Sequence, residues 1–156
     1  MIGAMYATVL SVHSWLRWFT LVMAAGATLN AFRPVVGGES RLPGRWWDTF
    51  LMLAVDLQML AGLVLYFGLS PITQTAMTNF GAAVRVPTLR YWSIEHAGAM
   101  FGALVLVRAG RVMAMHAPDL ATGRLRRLTC FAIALGVMLV AVPWPWLSGG
   151  RPLFRW

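Results

Sequence analysis

A chain of 156 residues that is 59% hydrophobic and only 12% charged, with a mean hydropathy of +0.67, carries about half the charge of a soluble domain of its length. Its net charge of +8 comes wholly from arginine, and the arginines gather at the ends of apolar runs rather than along one stripe, which points to a GC-rich genome more than to a nucleic-acid partner. A single cysteine, Cys130, excludes an intramolecular disulfide and any cysteine-cluster metal site, and it is expected to pack as a small apolar residue.

The first apolar run extends from Ala4 to Phe32. It has no basic leader and is too long for a signal-peptide core, so it is predicted to be a retained membrane helix. Inside it, in "VLSVHSWLRWFTLVM", lie His13 and Arg17. Four residues apart, they share one helical face with Thr20 and Ala24, and that face is expected to point into a bundle. Arg33 to Gly44, "RPVVGGESRLPG", has the Pro and Gly of a connecting loop.

A second run, Asp48 to Leu69, contains Asp56 and Gln58. Residues 70 to 90 are predicted to hold a short surface helix that Pro87 breaks. The third run, Trp92 to Met115, begins with "SIEHAGAMFGAL", which brings Glu95 and His96 and the small pair Gly98 and Gly102. Such a small-xxx-small pair lets helices approach closely. The fourth run, Leu128 to about Trp146, ends in "VPWPW", where prolines close the helix and Trp144 and Trp146 suit the headgroup level. The runs lack the alternation of strands. The expected fold class is therefore all-α, an integral membrane four-helix up-down-up-down bundle in one domain.

Arginine counts set the expected orientation. The first and third connections hold Arg33, Arg41, Arg45, Arg108, Arg111, Arg124, Arg126 and Arg127; the second connection and the C-terminal tail hold Arg85, Arg90, Arg151 and Arg155. The richer loops belong in the cytoplasm, which leaves both termini outside a bacterial inner membrane.

An ionisable group in hydrocarbon calls for a partner or a function. His13 lies roughly 14 Å below the outer end of the first helix and Arg17 roughly 20 Å, while Asp56 lies roughly 18 Å below the outer end of the second. The matched depth predicts a buried Arg17–Asp56 ion pair, with Gln58, two residues on, pointing elsewhere. His13 and His96 approach from the same side on parallel helices, an arrangement that suits a haem with two imidazole ligands. Arg17 or Arg90 would then pair with a propionate, and Glu95 would hydrogen-bond a ligand histidine. Copper is the competing metal, with ten methionines to draw on, although these are scattered in sequence. His116 falls at the far end of the third helix and is expected to be an exposed loop residue.

The motifs "HSWLRW" at His13, "LAGLVLYF" at Leu60, "IEH" at Ile94 and "VPWPW…RPLFR" from Val142 run in the order found in a family of short bacterial four-helix membrane proteins labelled cytochrome b-like, which the chain resembles along its whole length. The resemblance implies haem b and electron transfer. Members carry a further histidine in the second helix where this chain has Asp56, which leaves His13 and His96 as the candidate ligands. The leading expectation is electron passage between quinone and an outer-side acceptor. The alternatives are a cofactor-free accessory subunit of a respiratory or photosynthetic complex and, behind it, copper or proton transport.

Overall fold

The computed structural model describes residues 1–34, 45–146 and 150–154. The loop expected at Arg33 to Gly44, with Arg41, and the terminal Arg155 therefore lie largely or wholly outside the described residues. Most of those described are helical, with no strand among them. The elements are α1 (Ile2–Phe32), α2 (Arg45–Val64) continued by a π-helical turn (Leu65–Leu69), three short helices α3 (Pro71–Thr78), α4 (Phe80–Arg85) and α5 (Pro87–Arg90), a second π-helical turn (Tyr91–Glu95), then α6 (His96–Met115) and α7 (Leu120–Ala141).

The boundaries follow local chemistry. As expected from the sequence, a short helix ends ahead of Pro87, since α4 stops at Arg85 with Val86 extended; Pro87 then opens α5 at its first position, where the missing N–H costs nothing. Ser70 and Asn79 cap α3 and α4 by accepting from Thr73 N and Ala82 N. Asp119 likewise caps α7 through Thr122 N at 2.8 Å. The fourth helix accordingly begins eight residues before Leu128 and stops at Ala141, ahead of Pro143.

Four long helical segments pack side by side in the cyclic order α1, α2, α6, α7, with α1 and α6 on one diagonal. Each neighbour runs antiparallel to the next. Thus Gly26 near the end of α1 meets Trp47 near the start of α2, while His13 meets Gln58 and Gly62 further along α2. The centre is built from small and medium side chains, including Ala24, Ala27, Leu51, Val55, Ala103, Val107, Phe131 and Ala134. Small residues at the contacts let the backbones approach closely. A Cβ at Gly26 would lie 2.3 Å from the Trp47 ring, and one at Gly110 would lie 2.6 Å from Cys130 Cβ. Both glycines are therefore required by packing, and Cys130 is buried in the core.

Outward, each of the four long segments exposes apolar side chains, with Val22, Leu29, Leu60, Phe101, Ile133 and Val140 each at least 50% exposed. Two segments, Trp46–Leu69 and Pro87–Met115, are long and apolar enough to cross a membrane.

The buried charges are not those expected. Asp56 pairs with Arg108 on α6 rather than with Arg17, because the side of α2 that carries Asp56 faces α6 and not α1. Asp48, 1% exposed, is bracketed by Arg111 at 2.7 Å and Arg127 at 3.2 Å, tying α2, α6 and α7 together at the end of the bundle remote from the N-terminus.

Candidate functional site

Near the N-terminal end of α1, the bundle opens into a cavity of about 340 Å³, within the ordinary size range for small-molecule sites. His13, Arg17 and Thr20 line it from α1, Gln58, Met59 and Gly62 from α2, His96, Ala97 and Met100 from α6, and Met138 and Val142 from α7 and its end. Helical spacing explains the α1 contribution, since residues 13, 17 and 20 form one stripe.

The two π-helical turns shape the mouth. Each holds one extra residue per turn, so Ser70 N donates to Leu65 O and His96 N to Tyr91 O. One inserted residue turns the helix that follows by about 100°, which re-aims His96 relative to the segment before it. Carbonyls at these turns take side-chain donors instead. Tyr66 O–H donates to Ser93 O at 2.9 Å, and Thr73 O–H donates to Tyr66 O at 2.6 Å. The turns are thereby tied to each other across the cavity mouth.

His96 is anchored through one nitrogen. Its Nδ1–H donates to the Ala141 carbonyl at 2.8 Å, since a carbonyl can only accept, and this fixes Nε2 as the nitrogen with the lone pair. The ring packs against Tyr91 and Trp92 at centroid distances of 6.0 and 5.4 Å. His13 is held differently. The Gln58 side-chain amide lies 3.2 Å from its Nε2, while its Nδ1 and the Gln58 Oε1 are buried with no hydrogen-bond partner. The Nδ1 edge rests on Gly62, where a Cβ would come within 3.9 Å of it.

Two guanidinium groups face the same space. Arg17 donates to Leu153 O at 2.6 Å and lies 5.1 Å from the Trp18 ring centroid. Arg151 lies 4.9 Å from the Trp92 centroid and also lines the cavity. Both belong to a C-terminal segment, or touch one, that folds back along α1. There Phe154 stacks on Trp18 and tilts against Trp15, each at 5.6 Å.

Of the residues singled out from the sequence, His13, His96 and Arg17 come together here. Glu95 and Arg90 do not. They pair with each other at 2.6 Å, half exposed, so Glu95 orients neither histidine and the Ala141 carbonyl takes that role for His96. His116 caps the far end of α6, its ring bonded to Val112 O. Sequence reasoning passed over Gln58, Arg151 and the cavity methionines. The spacing from Asp56 did say that Gln58 points the opposite way, and with Asp56 turned toward α6 that direction is toward His13.

Comparison with protein-family models, curated proteins and solved structures gave no match. The functional reading therefore rests on this geometry.

Proposed function

We propose that the protein is an integral membrane four-helix bundle of the bacterial inner membrane that holds haem b in this cavity and carries electrons between quinone and an acceptor on the outer side. The membrane part is supported by the apolar outer surface on all four long segments, which would be an aggregation hazard in water. The single observation that carries the cofactor is the His96 anchor. A ring whose Nδ1–H is given to a backbone carbonyl is oriented and made more basic at Nε2, the arrangement that metal-bound histidines use.

The other donors fit the same group. His13, whose Nε2 now meets Gln58, would supply a second imidazole. Arg17 and Arg151 offer two cations for two carboxylates. Tyr66, Trp92, Met100 and Phe101 supply an apolar, aromatic wall. When bound, haem supplies a reversible one-electron carrier. The chain's own work is to fix the ligand tautomer at His96, to exclude water with the aromatic mouth, and to balance charge with Arg17. These features accord with the cytochrome b-like resemblance.

One observation favours a second reading. Met59, Met100 and Met138 line the cavity with both histidines, and thioether with imidazole is a donor set for Cu(I). The methionines are scattered in sequence and meet only in the fold.

Absorption spectra of the purified protein, oxidised and dithionite-reduced, together with metal analysis, test the two readings. Haem gives reduced-minus-oxidised bands that His96→Ala abolishes and that His13→Ala alters. Copper in stoichiometric amount without such bands would select the second reading. Neither metal would leave the cofactor-free accessory role.

A further inference from the structure

The ion pair between Asp56 and Arg108 lies in an unexpected environment. Asp56 is near the middle of the Trp46–Leu69 span, roughly 15 Å from its start, and the Arg108 and Asp56 side chains are 47% and 43% exposed. Charged groups at that depth face a bundle interior or a water-filled cavity, not lipid, because the hydrocarbon solvates neither ion. An arginine left to itself would extend its stem toward the nearer headgroups. Arg108 is instead held on Asp56, with the Met52 sulfur 3.9 Å from its other nitrogen.

Around the pair the surface is open and apolar. Phe101 and Val105 are 61% and 47% exposed. A Cβ added at Gly98 or Gly102 would meet nothing within 4 Å. No side chain among the described residues packs on those glycines, so a neighbouring helix can approach the α6 backbone there.

We propose that this α2–α6 face is the interface of a two-fold dimer of this chain, in which the Asp56–Arg108 pair of one copy lies against that of the other. The argument for a second copy is charge complementarity. The patch carries one charge of each sign side by side, and a two-fold axis through such a patch sets the arginine of each copy toward the carboxylate of its partner. Four charges then alternate in a space closed to lipid, and the glycines let the two α6 helices come close. The inference goes beyond the cofactor reading and depends only on its membrane-spanning part.

The test is disulfide cross-linking in native membranes. Val105→Cys is introduced with Cys130→Ala to remove the buried thiol, and Val140→Cys on the outer face of α7, 81% exposed, serves as the control. Oxidation is expected to give a reducible dimer of twice the chain mass from the Val105 variant and none from the control. Adding Gly102→Leu, which fills open space within the monomer, is expected to weaken dimerisation in nanodiscs by about tenfold or more while leaving the thermal melting of the monomer unchanged. Only monomers at Val105→Cys, equal cross-linking in the control, a link to a different chain, or a dimer indifferent to Gly102→Leu would each overturn the proposal. Loss of membrane association on carbonate extraction would instead remove the reading on which it rests.

Discussion

At the scale of single residues, the strongest constraint is Asp48. A carboxylate 1% exposed between Arg111 and Arg127 is stable only because two guanidinium groups replace its water, and because it occupies the first turn of α2, where the helix dipole favours an anion. Removing it leaves buried cations without that partner. Asp48→Asn is expected to lower stability by about 3–5 kcal/mol, read from denaturant titration in mild detergent. A loss below about 1 kcal/mol, the range of exposed pairs, would show that the cluster does not hold the three helices. The half-exposed Arg90–Glu95 pair belongs to that weaker class. Gly26 and Gly110 act through absence: the Trp47 ring and the Cys130 side chain occupy the space that a Cβ would take.

At the scale of elements, helix ends and the C-terminal segment carry the testable content. The Thr122 amide and hydroxyl hold the Asp119 carboxyl below its ordinary value of 3.8. A carboxylate with a depressed folded value stabilises its cap at every pH above the unfolded value and loses that contribution as the pH falls through the folded one. Protection of the Thr122 amide against hydrogen exchange is therefore expected to be constant from neutral pH to about pH 4 and to fall below it. Asp119→Asn, which still caps, should flatten that dependence; an unchanged acid fall in the variant would assign it elsewhere. The returning C-terminal segment is held by two hydrogen bonds into Leu153 O and by Phe154 against Trp15 and Trp18. Each aromatic pair contributes about 0.5–1.5 kcal/mol beyond its buried area. Phe154→Ala should consequently speed carboxypeptidase trimming of the segment severalfold, with little change in global melting. A coupled drop in both would mean that the segment is part of the core.

For the whole molecule, the distribution of charge sets orientation and the π-helical turns set the position of the cavity. The arginine-rich connections are expected in the cytoplasm and both termini outside. Reporter fusions at each terminus should be active only on the outer side, and cytoplasmic activity at either end would reverse the assignment. In that orientation the cavity opens toward the outer leaflet and the Asp48 cluster anchors the cytoplasmic end. One end of the bundle thus carries the cavity, and the other is locked by charge.

Much of this was legible in the sequence, because it depends on patterns that extend over whole helices. Apolar runs longer than a bilayer, prolines and caps at their ends, and a four-residue spacing between His13 and Arg17 fix helix content and one inward face without knowledge of any neighbour. The boundaries drifted where a cap lies outside the apolar run, as with Asp119, or where proline begins a helix, as with Pro87. Partnership between helices was not legible. Depth along an axis matched Arg17 with Asp56, but rotation about that axis turned Asp56 to Arg108 and gave His13 to Gln58. A π-helical turn shifts that rotation by a full residue's worth of angle and leaves the apolar pattern almost unchanged. Only the tertiary structure decided which faces meet, and hence that two histidines, two arginines and three methionines share one cavity.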